Sequence, residues 1–239
     1  MSDTLKRFYK EAAAVELPDA GGWHVVLDGR TVRTPSGAVQ AVPTRALAEA
    51  MAGEWACQGE QVEIAGMHLT RLANVAIDRT PATREGLAEE VVRYCETDLT
   101  CHLEDRQAGL RARQDAGWKP LRDWAGRALG VMLLPVEGLL AARQPDASLA
   151  AAHSHAETLD DFRLTGLAYG CGLFGSAVLA LAVEQGEVSA MEAFELARLD
   201  EAWQAEHWGE DSEATAATAA RRAEADALGI WFGALKTAP

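Results

Sequence analysis

Side chains able to do metal or acid–base chemistry crowd together once in this chain of 239 residues, at His153-Ser-His155 with Glu157, Asp160 and Asp161 just after. A metal-dependent enzyme could draw on His153, His155 and Asp160. The spacing argues against it. Helical zinc sites set two histidines four residues apart on one face, and a separation of two splays them. Asp98 and His102 do have the four-residue spacing, with Cys101 beside them. Nothing else converges on them, and a structural polar cluster at a helix end accounts for them. No Gly-x-Ser-x-Gly elbow, phosphate-binding loop or dinucleotide fingerprint occurs. The glycines from Gly166 to Gly175 lack the grammar of a phosphate loop and read as close backbone packing. Cys57, Cys95, Cys101 and Cys171 form no Cys-x-x-Cys pair, so reduced thiols in a cytosolic compartment are the expectation. The sequence offers no coherent catalytic residue set, no cofactor site and no metal cage.

What it does offer is charge. A formal net charge of −14 argues against binding nucleic-acid backbones, which need a basic face, and against anionic membrane surfaces. It suits a soluble protein that meets basic surfaces on another protein. The stretch from Ser189 to Asp211 concentrates this character. It reads as one helix, opened by a capping box between Ser189 and Glu192 and closed at Gly209. Its apolar residues fall on two sides, and Glu201 lies among small and aromatic neighbours. Acids also crowd its C-terminal half, where the helix dipole disfavours them. A core helix with acids wherever solvent reaches is one reading; a contact face for a cationic partner is the other.

The elements that must carry these residues change character along the chain. Trp23–Leu27, Arg30–Thr34 and Ala38–Val42 read as a meander of short strands, with Asp28-Gly29 as a tight hairpin turn. Thr44 is placed to cap a helix from Arg45 to about Gln58, with Leu47, Ala48, Met51 and Trp55 buried. Gln61–Ile64 is a candidate strand, and Thr70–Ile77 looks helical. Thr80-Pro81 starts a run of helices that continues almost without interruption. One follows Trp118-Lys-Pro120, one runs from Pro145 to Leu159, and a last one spans about Asp211 to Lys236. The uncharged run from Leu164 to Val183 approaches the length of a membrane span, but its glycines and mostly acidic flanks mark it as a buried core element broken near Cys171. The expected fold class is α+β: a small β-rich N-terminal domain over residues 1–80 and a larger all-helical domain over 81–239.

Several short motifs occur in a fixed order: Lys6-Arg-Phe-Tyr-Lys10, Val26-Leu-Asp-Gly-Arg30, Glu54-Trp55 with Gln58-Gly-Glu60, Met67–Asn74 with Ala76-Ile-Asp78, and Tyr94–Leu99. Trp118-Lys-Pro-Leu121, Gly175-Ser176, and Asp200-Glu201-Ala-Trp-Gln204 with Trp208-Gly209 complete the set. Together they resemble the assembly chaperones of the F-type ATP synthase that bind its α subunit, from about Lys6 to Gly209. The resemblance implies a non-enzymatic function: holding free α subunit until it joins β in the catalytic head. It implies a small β-rich domain followed by a larger helical one, and no small-molecule substrate. Mitochondrial members carry a presequence, whereas this chain opens directly on the Lys-Arg-Phe-Tyr-Lys segment, so a bacterial, cytoplasmic member is expected. The family's functional acid carries over to Glu201. Asp200, Gln204 and Trp208 belong to the same motif, and Glu206 and Asp211 extend it by proximity. Trp203, Gln204 and Trp208 serve equally well as core residues. A generic acidic adaptor for some other basic protein is the remaining alternative.

Overall fold

The structure is a computed structural model that describes residues 5–17, 21–138, 142–209 and 212–236. Strand β1 (Leu5–Lys6) is followed by β2 (Ala12–Glu16), β3 (Trp23–Leu27), β4 (Arg30–Thr31) and β5 (Ala41–Val42). β3 is the centre of the sheet: β2 pairs with it along one edge, and β4 and β5 along the other, all antiparallel. Its Val25, Val26 and Leu27 are buried. Asp28 and Gly29 both take positive φ, as a tight two-residue hairpin requires. The Asp28 carboxylate accepts the backbone N–H groups of Lys10 and Glu11, which offsets the strain of a left-handed aspartate.

The expected meander is only partly regular. Arg33 and Val39 form a single bridge where two longer strands were anticipated. The longest partner of β3 is β2, which is hard to read from sequence because Ala-Ala-Ala-Val-Glu has little strand propensity. Helix α1 (Arg45–Ala56) lies against β2 and β3. Thr44 caps it by accepting the Leu47 N–H, and Leu47, Ala48, Met51 and Trp55 are buried as expected. Strand β6 (Gln61–Val62) pairs with β1.

Helix α2 (His68–Asp78) and helix α3 (Thr80–Glu96) are separated by Arg79 alone. Strand β7 (His102–Leu103) then precedes helix α4 (Ala108–Leu129), and strand β8 (Val136–Glu137) returns to pair with β7 in parallel. α4 begins ten residues before Trp118 and runs through Pro120, where the sequence suggested a start. The helical part is completed by α5 (Asp146–Thr158), α6 (Asp161–Phe174), α7 (Ala177–Gln185), α8 (Ala190–Ala197), α9 (Leu199–Trp208) and α10 (Ser212–Lys236).

The uncharged run from Leu164 to Val183 is the buried pair α6–α7, broken at Gly175 with Ser176 capping the second helix. Among the described residues no helix is long and apolar enough to cross a membrane. The core is one contiguous cluster reaching from Tyr9 to Ala234. The Thr44 hydroxyl donates to the Ala234 carbonyl at 2.9 Å, so the cap of the first helix also holds the last one.

One expectation is corrected outright. The segment from Ser189 onward is not one helix. Arg198 leaves helical geometry (φ −109°, ψ 16°) and divides it into α8 and α9.

Candidate functional site

The division at Arg198 sets α9 against the N-terminal half of α4. The capping box of α8 forms as expected: Ser189 Oγ accepts the Glu192 N–H, and Glu192 accepts the Ser189 N–H. At the break, the Leu196 carbonyl lacks its helical partner and accepts the Trp118 indole N–H at 2.9 Å instead. Two glycines on α4 make the approach possible. A Cβ on Gly117 would lie 2.6 Å from Leu196 Cδ2, and one on Gly109 would lie 2.5 Å from the ring of Trp203.

α9 buries no residue fully. Polar contacts hold it. The Trp203 indole donates to Gln107 Oε1 at 2.9 Å, and the Arg113 guanidinium sits 4.7 Å from its ring centroid. Asp200 accepts the Gln114 side-chain amide at 2.8 Å. Burial raises the Asp200 pKa despite that bond. Glu206 takes both terminal nitrogens of Arg113, each at 2.8 Å, and the pairing lowers its pKa.

The candidate residues therefore divide by direction. Asp200, Trp203 and Glu206 face α4 and fix the helix in place. Glu201, Gln204 and Trp208 recur at intervals of three and four residues on the other side, and all are exposed. Trp208 keeps 71% of its surface in solvent. Gln204 has no partner among the described residues, and Glu201 makes only an exposed ion pair with Arg198 at 2.7 Å. Asp211 lies outside the described residues.

The other motif residues behave differently. Glu54 accepts the Leu69 and Thr70 N–H groups at the start of α2. Asp78 takes the hydroxyls of Thr34 and Ser36. Tyr9 donates to the Trp55 carbonyl, and Arg7 to the Gln58 carbonyl at the end of α1. Asp98, fully buried, accepts from Thr100, Ser176 and the Val178 N–H, while His102 takes no part. Each of these ties one piece of the frame to another.

The set His153, His155 and Asp160 is not brought together. His153 lies between Glu85 and Glu157, 3.3 Å from each. His155 points to the buried Glu184 at 3.0 Å, and Asp160 caps α6. Sequence reasoning does not reach Glu85, which joins His153 and Glu157 in a small polar group across α3 and α5. No motif spacing links it to them.

This fold is that of a chaperone. A crystal structure of an Agrobacterium tumefaciens protein, described as "a putative chaperone", matches with a TM-score of 0.90 at 37% identity, covering 97% of this chain and 86% of that one. The family described as "ATP12 chaperone protein" matches residues 6–126, and the chain belongs to that family. The crystal structure of Atp12 from Paracoccus denitrificans matches with a TM-score of 0.86 at 37% identity, over 95% of this chain and 97% of that one. An aspartate-to-lysine mutant of the Paracoccus protein matches equally well, at 0.86 and 36% identity over the same shares. Protein atp12, mitochondrial, from Schizosaccharomyces pombe is 25% identical over 218 residues, 86% of this chain and 74% of that protein. The family serves the assembly of the ATP synthase.

Proposed function

We propose that the protein binds the free α subunit of the F-type ATP synthase and keeps it from aggregating until it joins β. The site is the outward stripe Glu201, Gln204 and Trp208 on α9, with Asp200 and Glu206 holding the helix in place; Asp211 belongs to the proposed site by its nearness in the sequence alone. One observation carries this reading. Most of the motif residues described above have an internal structural role, whereas these three are exposed and their contacts are confined to the surface of α9 and its start, the Glu201–Arg198 ion pair and the ring of His207 beside Trp208. A surface pair of that kind is worth about 0–1 kcal/mol, so Glu201 is cheaply exchanged onto a cation of the client.

The chemistry suits the task. An α subunit made alone exposes a large apolar face meant for β, and such bare interfaces aggregate. Trp208 supplies amphipathic contact area, and the acids orient the client through its basic residues. No chemical step is needed, and the protein acts without turnover of a substrate. In organisation, residues 1–80 form the β-rich part and 81–239 the helical part that carries the contact. The free state of all four cysteines and the likeness to bacterial proteins support a cytoplasmic location.

The test is aggregation of purified α subunit followed by light scattering, without ATP. The parent protein is expected to suppress it at near-stoichiometric ratio. Glu201→Lys should keep its circular dichroism and melting temperature yet need at least tenfold more protein, about 1.4 kcal/mol of lost affinity. Full protection by folded Glu201→Lys would remove α9 from the interface.

A further inference from the structure

A second surface has the opposite character. A groove of about 320 Å³ runs between the later turns of α4 and the extended segment Val131–Pro135. Lys119, Arg122 and Arg127 line it, against the single carboxylate of Asp123, which is already paired with Lys119. On a chain of net charge −14 such a cationic patch is out of keeping with the rest of the surface.

Arg122 is the unusual member. It is 6% exposed, and its one hydrogen bond goes to the Thr100 carbonyl. No carboxylate among the described residues forms an ion pair with it. The attraction of Asp98, Asp115 and Asp123 reaches it only across a distance, and burial lowers its pKa from the usual guanidinium value. A buried cation left without an anion is unfavourable, and a carboxylate brought to it would be strongly held. Arg127, on the exposed rim, makes no ion pair of its own among the described residues.

The opposite wall is built like a strand waiting for a neighbour. Val131 and Leu133 are buried, while Met132 and Leu134 are 61% and 45% exposed. One edge of the segment is already satisfied by side chains. Ser148 Oγ bonds both the N–H and the carbonyl of Met132. The Gln144 amide accepts the Leu134 N–H at 2.7 Å and donates to its carbonyl at 3.1 Å, taking the place of an adjoining peptide. In an extended chain, alternate residues turn their amides to opposite edges. The N–H and carbonyl of Leu133 accordingly belong to the other edge, and neither has a partner among the described residues.

We infer that this groove docks an extended acidic polypeptide segment, whose carboxylate meets Arg122, whose backbone pairs with Leu133 and whose apolar side chain rests on Met132. This is strand addition with a charge selector. It is separate from the α9 stripe, which attracts cations, so either site can fail without the other.

The probe is a fluorescein-labelled capped pentapeptide, Leu-Glu-Leu-Glu-Leu, titrated by anisotropy against the full chain. Saturable binding is expected, at least tenfold weaker for the peptide with glutamine in place of glutamate. The rim double variant Lys119→Glu with Arg127→Glu should weaken binding at least tenfold while keeping its fold, and Glu201→Lys should bind as the parent does. Arg122→Met should also lose binding. Because a buried residue is changed there, amide chemical shifts of the parent protein give an independent readout, and the largest changes should fall on Gly126, Met132 and Leu133. Equal binding of both peptides, no saturable binding, displacement by inorganic phosphate at the same concentration as free peptide, or shifts centred elsewhere would overturn the inference.

Discussion

Glu184 shows how far one side chain can depart from its place in the sequence. It ends an uncharged run and reads as an acidic flank, yet its side chain is fully buried, bonded to His155, Arg163 and Gln185. Burial alone would raise its pKa; the bonds from His155, Gln185 and Arg163 outweigh that and hold it at about 2. A depressed carboxylate stabilises the fold above its unfolded pKa and loses that contribution as pH falls through the folded value. The window here runs from the ordinary 4.5 down to about 2. Urea denaturation across that range should show the parent losing on the order of 2–3 kcal/mol more than Glu184→Gln, whose pH slope should be flatter. Asp98 tests the frame in another way. Asp98→Ala leaves the donors of Thr100, Ser176 and Val178 without their shared acceptor, and denaturation should report a loss of about 3 kcal/mol. The identity of Asp98 as a structural cluster was legible because nothing catalytic accompanied it. The burial of Glu184 was not, since His155 and Arg163 come from other helices that only the folded chain brings near.

At the level of elements, what could be read was the local grammar of caps. Thr44 and the Ser189–Glu192 box each make their capping bonds within a few residues, and Pro81 fits the first turn because it needs no N–H partner, so sequence neighbours suffice to place them. The break at Arg198 carries no glycine or proline. It exists because Trp118 and Gly117, some eighty residues earlier, receive Leu196 there. The same reasoning predicts how α9 responds to change. Gly109→Val would push into the Trp203 ring and unseat the helix. Since α9 buries no residue fully, the melting temperature should move by no more than ~2 °C, while hydrogen exchange across Leu199–Trp208 quickens and protection of the α subunit falls. Unaltered exchange in that helix would show that the contact with Gly109 does not position it. The direction of each candidate on α9 also needed the structure. The motif places Asp200 and Glu201 side by side, and only the packing on α4 turns one inward and the other out.

For the molecule as a whole, the α+β class and the helical run after Thr80 were legible from hydrophobic period and turn residues. The continuity of the core was not, because the long-range pairs that create it leave no local trace. Leu228, Trp231 and Phe232 near the end of α10 join the same apolar cluster as Leu47 and Met51 of α1. Trp231 is fully buried, and Trp231→Ala should cost about 3–5 kcal/mol in chemical denaturation. Residues 1–80 expressed alone should lack a cooperative unfolding transition, which calorimetry would reveal. The bond between Thr44 and the Ala234 carbonyl has a further consequence during synthesis. The first helix leaves the ribosome early, but part of the surface that shelters it is translated 190 residues later. Until α10 emerges, the nascent chain carries exposed apolar surface of its own, so an assembly chaperone itself needs, while it is being made, shelter of the kind that such chaperones give.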